Sequence, residues 1–157
     1  MPAVELQIRA ATPDDLAALL ALEEASFTSD RYDAGDFRYF LGRRRCAVLA
    51  AVEGGAVRGY AIAEWRGVRP EGRLVSIAVF LEQRGRGIGP ALLRASEEAV
   101  RRQGASRMCL EVRESNAKAI GMYSLGGYRE TGRTPMYYTD GETAVLMEKP
   151  LLIEGEG

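Results

Sequence analysis

The stretch from residue 73 to residue 102 constrains the fold most, because three structural signals follow one another there with almost no gap. RLVSIAVF at 73–80 is rich in β-branched residues and predicts a buried strand. RGRGIG at 84–89 places three glycines in six positions, which is typical of a tight turn. From Pro90 onward apolar residues recur every three or four positions, which predicts a helix.

A glycine-rich turn that leads into a helix favours one kind of ligand. The first backbone N–H groups of a helix have no partner within it, and the helix dipole adds partial positive charge at the same end. RGRGIG is neither a Walker A loop nor a dinucleotide-binding fingerprint, because Pro90 and Ala91 follow it and the glycine spacing differs. The stretch still predicts a loop that binds phosphate, and the alternative is a flexible turn between a strand and a helix with incidental arginines.

The rest of the chain alternates predicted strands and helices around this stretch. The predicted strands lie at 4–10, 46–53, 57–65, 73–80, 106–112, 128–133 and 143–149, and the predicted helices at 12–27, 37–41, 90–103 and 116–125. The order β-α-α-β-β-β-α-β-α-β-β indicates an α/β fold, a mixed sheet with helices on both faces. No linker or repeat divides the chain, so we expect a single domain over residues 1–157.

Charge and cysteine content argue against several classes of function. The chain carries 21 Lys and Arg residues against 22 Asp and Glu residues, so no surface for nucleic acid or membrane is indicated. Cys46 and Cys109 lie in apolar runs without the spacing of a metal site or a disulfide. Residues 1–10 lack the apolar core of a signal peptide, and the apolar run at 46–52 is too short to span a bilayer. We therefore expect a cytoplasmic protein that uses no metal.

The sequence contains no histidine. This absence excludes Ser–His and Cys–His nucleophile pairs, and it removes the commonest transition-metal ligand. Any chemistry at this protein's site has to use carboxylates, tyrosines, backbone amides or a bound co-substrate.

Two separated motifs in this framework carry a family resemblance. An Arg-x-x-Gly-x-Gly pattern spans 84–89 between a strand and a helix, and an Asn-x-x-Ala-x-x-x-Tyr pattern on one helix face spans 116–123. This order resembles the GCN5-related N-acetyltransferase superfamily, and the C-terminal half is most similar to bacterial ribosomal-protein alanine N-acetyltransferases. The resemblance implies an enzyme that transfers acetyl from acetyl-CoA directly to a primary amine, without a metal.

The same resemblance implies which residues hold acetyl-CoA. The loop amides would cradle its pyrophosphate, with Gly87 and Gly89 allowing close backbone approach. Arg84 and Arg86 would add charge toward the phosphates, or be no more than solvated arginines on a loop. The strand at 77–79 would pair with the pantetheine arm. The alternative is a core strand without a role toward the co-substrate. The implied residues are Ile77, Ala78, Val79, Arg84, Gly85, Arg86, Gly87, Ile88, Gly89 and Asn116.

Two side chains are implied to be catalytic. Glu111, in LEVRESN, matches a family glutamate that serves as general base; the alternative is a glutamate paired to an arginine at the mouth of the sheet. Strand alternation places Cys109, Glu111 and Arg113 on one face. Tyr123 matches the family tyrosine that acts as general acid, and the alternative is a tyrosine that packs against the sheet. Cys109 is expected to be a small buried hydrophobe.

The C-terminal stretch MYYTDGETAVLME resembles the part of protein N-terminal acetyltransferases that flanks the incoming peptide. Tyr137 and Tyr138 are the implied substrate contacts, and only one of two neighbouring strand residues is expected to face the site. Glu23 and Phe27 are similar to the first helix of that subfamily. The implied acceptor is the α-amine of a protein or peptide N-terminus. A small-molecule amine acetyltransferase and a non-catalytic acyl-CoA sensor are the alternatives, and we expect a monomer or a homodimer.

Overall fold

The order of elements in the computed structural model is the predicted one. Residues 5–68 and 70–151 are described, so residue 4, the expected start of the first strand, and both ends of the expected domain lie outside the described residues. The strands are β1 (Gln7–Ala10), β2 (Cys46–Glu53), β3 (Ala56–Arg66), β4 (Glu71–Val79), β5 (Arg107–Arg113), β6 (Arg129–Thr134) and β7 (Ala144–Pro150). The helices are α1 (Leu16–Ser26), α2 (Ala34–Gly42), α3 (Ile88–Arg102) and α4 (Ala117–Leu125), with short 3₁₀ turns at Pro13–Asp15 and Leu81–Gln83.

Local signals explain where two of the helices begin. Asp33 and Asp36 cap α2 reciprocally, because each carboxylate accepts the backbone N–H of the other residue at 2.9 Å. The predicted start at residue 37 was therefore three residues late. Helix α3 begins at Ile88, two residues before the predicted start at Pro90, and Gly87 precedes it in the left-handed conformation with φ of 80°. The glycine turn thus runs directly into the helix.

The strands form one mixed sheet in the order β1-β2-β3-β4-β5-β7-β6. Neighbouring strands are antiparallel except β4 and β5, which run parallel. These two strands pair only through Gly72 with Met108 and Arg73 with Cys109, whereas β5 pairs with β7 along its whole length. The sheet therefore opens between β4 and β5 beyond Arg73.

Helices cover both faces of the sheet, as predicted. On one face α1 and α2 bury Leu19 and Phe37 against Tyr60 of β3. On the other face α3 and α4 contribute Leu92 and Tyr123 to a second apolar cluster with the remaining strands. The two clusters fix the sheet from both sides, and the opening lies between them.

Close packing explains the glycine at the last point where β4 and β5 still pair. An ideal Cβ on Gly72 would lie 2.6 Å from Val100 Cγ2 on α3 and 3.1 Å from Met108 Sδ on β5. Both distances are shorter than van der Waals contact, so a side chain at this position would push α3 away from the sheet.

We predict that Gly72→Ala destabilises the protein, because a methyl group added to a filled core forces neighbours apart. The free energy of unfolding in urea should fall by about 1–3 kcal/mol. Gly121→Ala is the control, since Gly121 lies exposed in α4 with no atom within 4 Å of an added Cβ. That variant should gain about 0.5–1 kcal/mol from helix propensity. A Gly72→Ala variant as stable as the parent would show that α3 does not pack as described.

Candidate active site

The predicted co-substrate strand borders the opening in the sheet. Beyond Arg73 the edge of β4 that faces β5 has no strand partner, and this edge includes Ile77, Ala78 and Val79. Ile77 and Val79 pack toward the α3 face and Ala78 toward the α1–α2 face. A stretch of strand edge that has no strand partner inside a sheet is suited to pairing with an extended ligand.

The glycine loop presents a run of free backbone donors at the wide end of this opening. Among the described residues, no acceptor lies in hydrogen-bond geometry with the backbone N–H groups of residues 85–89. Gly85 and Gly87 are left-handed, with φ of 82° and 80°, and an added Cβ at either would meet nothing within 4 Å. A free row of N–H groups at a helix start, open to solvent, fits an anion such as a diphosphate.

Gly89 has a packing role that the sequence did not indicate, and its predicted role toward the co-substrate stays a prediction. An ideal Cβ there would lie 3.0 Å from Met122 Sδ, so Gly89 permits α3 to approach α4 closely. The close approach places the start of α3 beside the helix that carries Tyr123.

The two loop arginines both have partners within the protein. Arg84 Nε donates to the Val79 carbonyl at 3.2 Å, which ties the loop back to the end of β4. Arg86 forms a two-point ion pair with Glu53 at 2.6 and 3.0 Å and also donates to Gln83. A role of these side chains toward phosphate stays a prediction.

Asn116 caps the helix that follows β5. Its Oδ1 accepts the backbone N–H of Ala119 at 3.2 Å, which fixes the first turn of α4. The capping bond uses the side-chain oxygen and leaves the amide N–H groups available. Contact of Asn116 with a co-substrate also stays a prediction.

Glu111 lies on β5 beside the opening and has an arginine partner. It shares a face with Cys109 and Arg113, as alternation predicted, since Leu110 and Val112 pack into the opposite apolar cluster. Arg73 Nε donates to Glu111 Oε2 at 3.1 Å. The Glu111 side chain is nevertheless 24% exposed. The ion pair of the alternative interpretation is therefore present, and the carboxylate is still accessible to a substrate.

Arg73 joins Glu111 to a second, deeply buried carboxylate, a link that the sequence did not reveal. Its NH1 group lies 3.3 Å from Oε1 of Glu64, whose side chain is only 3% exposed. Arg43 and Arg66 also pair with Glu64. Three guanidinium groups thus surround one buried carboxylate, and Arg73 extends the network to Glu111.

Tyr123 is buried in α4, yet its hydroxyl is reachable. Burial, and secondarily the nearby Tyr138, raises the pKa of Tyr123, so its phenol stays protonated at neutral pH. Among the described residues, Arg58 Nε is the one side-chain polar atom sealed from solvent without a hydrogen-bond partner. The Tyr123 hydroxyl has no such partner either, and it is not completely sealed from solvent, although the residue as a whole is only 5% exposed. Its ring packs edge-on against Tyr128 at 5.8 Å, so packing and chemistry are compatible.

The two predicted substrate tyrosines do not lie on a strand. β6 ends at Thr134 and β7 begins at Ala144, so Tyr137 and Tyr138 belong to the connecting loop, and strand alternation does not separate them. Their rings meet edge-on at 4.9 Å. Burial, then Tyr137, raises the pKa of Tyr138 to about 12. Tyr138 lies near enough to Glu111 and to Tyr123 to interact electrostatically with both.

The loop between α1 and α2 forms the other wall of this site. The backbone N–H of Tyr32 donates to Glu23 Oε2 at 2.8 Å, and Glu23 is almost fully buried. The Tyr60 hydroxyl donates to the second Glu23 oxygen and also lies 2.8 Å from Ser76 Oγ on β4. Burial raises the pKa of Glu23. This buried network fixes the loop on the sheet, and Tyr32 within it was not singled out by the sequence.

Three further observations on the described residues concern metal ligands, membrane spans and Cys109. The described residues contain no group of three or more His, Cys, Asp or Glu side chains placed to hold a metal ion. None of the described helices is both long enough and apolar enough to cross a membrane. Burial raises the pKa of Cys109, which disfavours a reactive thiolate there.

Comparisons with known proteins place this geometry among acetyltransferases. Residues 16–127 match the Acetyltransferase (GNAT) family. An N-alpha-acetyltransferase of Sulfurisphaera tokodaii is 46% identical over 82 residues, which cover 52% of this chain and only 49% of that relative. An N-alpha-acetyltransferase of Saccharolobus solfataricus is 30% identical over 158 residues, covering 94% of each chain. The crystal structure of the ribosomal-protein-S18-alanine N-acetyltransferase from Escherichia coli matches with a TM-score of 0.84 at 28% identity, covering 98% of each chain.

These similarities extend over the two motifs and the opening in the sheet. The match from residue 16 to residue 127 includes β4, the glycine loop, β5 and α4. The resemblance drawn from the Arg-x-x-Gly-x-Gly and Asn-x-x-Ala-x-x-x-Tyr patterns is therefore confirmed, and this chain belongs to the acetyltransferase (GNAT) family.

Proposed function

We propose that this chain transfers acetyl from acetyl-CoA to the α-amine at the N-terminus of a protein or peptide. The observation that carries the proposal is the opening between β4 and β5, with Glu111 on β5 beside it and the free backbone N–H groups of residues 85–89 after β4. The names of the relatives, N-alpha-acetyltransferase and ribosomal-protein-S18-alanine N-acetyltransferase, support a protein α-amine as the acceptor. The acceptor enters a cleft between the α1–α2 loop and the β6–β7 loop, which we call the acceptor cleft.

The residues around the glycine loop fit acetyl-CoA. The free N–H groups of residues 85–89 suit a diphosphate, and the unpaired edge at 77–79 suits an extended arm. Arg86 would exchange its contact with Glu53 for phosphate oxygens, which a guanidinium group also binds through two parallel hydrogen bonds. When bound, acetyl-CoA supplies a thioester that an amine can attack.

Glu111 serves as the base that accepts a proton from the acceptor amine, directly or through a water molecule. An amine attacks only when its lone pair is free, so a carboxylate within reach accelerates the step. The Arg73 guanidinium lies 3.1 Å from Oε2 and 3.4 Å from Oε1, which holds the carboxylate in one orientation. The ion pair thus positions the base and leaves a quarter of the side chain exposed for the acceptor.

Tyr123 serves as the proton donor for the departing sulfur. Its hydroxyl is protonated at neutral pH, because burial raises the pKa of Tyr123, and no described residue occupies it with a hydrogen bond. A phenol that is held protonated and free can donate to the sulfur without first breaking an internal bond. Glu111 and Tyr123 would therefore each carry out one of the two proton transfers.

The choice of acceptor follows from the kind of base. An α-amine titrates near ~8 and a lysine side chain near ~10.4, so at neutral pH about a tenth of the former and under about a thousandth of the latter is neutral. A single carboxylate, in a chain without histidine, is suited to the easier deprotonation.

Glu111→Gln should lower kcat without unfolding the protein, because glutamine can still accept the Arg73 hydrogen bond but cannot take a proton. We expect a loss of roughly 10²–10⁴-fold at pH 7, with partial recovery as rising pH supplies neutral amine. Glu148→Gln is a matched control: Glu148 lies opposite Cys109 on β7, pairs with Arg107, and has the same 24% side-chain exposure. A pH–rate profile that keeps its shape in Glu111→Gln would instead favour a purely structural ion pair.

Tyr123→Phe should lower kcat by roughly 10²–10⁴-fold while the protein stays as stable as before, since its hydroxyl has no internal partner to lose. Tyr128→Phe should instead change the stability and not the kcat, because the Tyr128 hydroxyl donates to Glu97 at 2.8 Å. That control should lose about 1.5–3 kcal/mol of stability and keep its kcat. Urea unfolding measures the stability of both variants, and steady-state kinetics measure their kcat. An unchanged kcat in Tyr123→Phe would show that Tyr123 only packs against its neighbours and does not donate a proton.

A peptide that carries both a free N-terminus and an internal lysine should be acetylated on its N-terminal nitrogen. Mass spectrometry with fragment sequencing locates the added group, and the same peptide with a blocked N-terminus is the control. Modification mainly at lysine would contradict the proposal. Modification of small amines in a parallel screen, with no peptide modified, would assign this chain to small-molecule substrates.

A further inference from the structure

One side chain, Arg113 at the end of β5, joins the two loops that bound the acceptor cleft. Its NH2 group donates to Ser29 Oγ at 2.9 Å and to Asp30 Oδ2 at 3.0 Å, both in the α1–α2 loop. Its NH1 group donates to Asp140 Oδ2 at 2.8 Å and to Glu142 Oε1 at 3.0 Å, both in the β6–β7 loop. Four acceptors therefore match the four terminal N–H bonds of one guanidinium group.

The same guanidinium also contacts Tyr138, one of the two predicted substrate tyrosines. The Arg113 guanidinium carbon lies 4.0 Å from the centroid of the Tyr138 ring, which is a close cation–π contact. Tyr138 is the residue that interacts with both Glu111 and Tyr123. Arg113 thus contacts this ring as well as both loops.

The acidic partners in the β6–β7 loop are themselves held in place. Glu142 Oε2 accepts the backbone N–H of Ser115 at 2.8 Å, directly after β5, and the backbone N–H of Glu142 donates to Asp140 Oδ1 at 3.0 Å. Each of the two carboxylates thus has one further hydrogen bond that orients it beside Arg113. A fixed set of acceptors favours one orientation of a planar side chain.

We propose that Arg113 is the positioning residue of the acceptor cleft: it clamps the α1–α2 loop to the β6–β7 loop and sets the width of the cleft for a peptide N-terminus. This inference rests on the proposed function for the identity of the acceptor, although the clamp itself is a property of the loops. Arg113 touches neither the acetyl donor nor the reacting atoms. It acts through Tyr138 and the two loops.

The position of Arg113 on β5 links this clamp to the catalytic carboxylate. Glu111 and Arg113 are two residues apart on the same face of one strand, so the clamp and the base keep a fixed separation. A lysine at 113 cannot replace the clamp, because an ammonium group has three donors and no plane to lie against Tyr138. Cleft width therefore depends on the guanidinium group and not on its charge alone.

The test compares Arg113→Met and Arg113→Lys with the unaltered protein. Arg113→Met should raise the KM for a peptide acceptor by about tenfold or more, with kcat changed by less than about threefold, because the loops and not the reacting groups are released. The peptide KM of Arg113→Lys should lie between those of the unaltered protein and Arg113→Met. The Kd for acetyl-CoA, measured by calorimetry, should be unchanged in both variants, since the glycine loop lies outside the clamp.

Hydrogen exchange provides a readout that needs no acceptor. Backbone amides at 28–33 and 135–143 should exchange faster in both variants, whereas those of α3 should not change. Arg102→Met is the control, since Arg102 pairs with Glu98 on the exposed face of α3 and its side chain is 72% exposed. That variant should keep the peptide KM and the exchange of both loops.

A double-variant cycle separates the clamp from a general loss of stability. Asp30→Asn should raise the peptide KM less than Arg113→Met does, and it should add nothing in the Arg113→Met background, because the contact is already lost. If Arg113→Met does not fold, Arg113→Lys and Asp30→Asn provide the same comparison. A peptide KM within about threefold of the parent value in these variants, or faster exchange in one loop alone, overturns the clamp. A parent protein that acetylates no peptide overturns the proposed acceptor, and loop exchange still tests the clamp.

Discussion

The separation of β4 from β5 after two residue pairs is the constraint on which the rest of the structure depends. Two parallel strands in the interior of a sheet would ordinarily satisfy each other's backbone groups, and unpaired groups there are costly. Here each strand keeps a full partner on its other side, β3 for β4 and β7 for β5. The opening therefore lies inside the sheet, and each strand beside it is still hydrogen-bonded along its other edge. It places the glycine loop at the end of β4 and Glu111 on β5, on the two sides of one gap.

Arginine–carboxylate pairs replace histidine as the organising chemistry of the site. Glu64 is buried among three guanidinium groups, and one of them, that of Arg73, also pairs with Glu111. A carboxylate removed from water keeps its charge only when donors surround it, so the buried pair and the exposed pair support each other. An arginine stays charged throughout the neutral range, so the geometry around Glu111 does not change with pH as it would around an imidazole.

The sequence predicted the fold well because its strongest signals are local. Periodicity, caps and glycine turns gave the order of elements, and alternation correctly placed Cys109, Glu111 and Arg113 on one face. Prediction failed where partners come from distant parts of the chain: Arg73 meets Glu111 across 38 residues, and Arg113 meets Ser29 across 84. No local pattern marks such contacts. Tyr137 and Tyr138 were predicted on a strand but lie in a loop for a related reason, because the end of β6 is set by its pairing with β7.

The sheet consists of two parts, here called plates, that are joined by only two residue pairs, here called the seam. β1–β4 form one plate with α3 packed on it, β5–β7 form the other, and the seam consists of the pairs at Gly72 and Arg73. A seam of two pairs resists twisting far less than the full ladders on either side of it. Any change in the gap between the plates has to bend this seam and to slide α3 past α4 at the contact of Gly89 with Met122. Gly72, which admits no side chain beside Val100, therefore lies at the pivot, and the volume packed around it limits how far the plates can move.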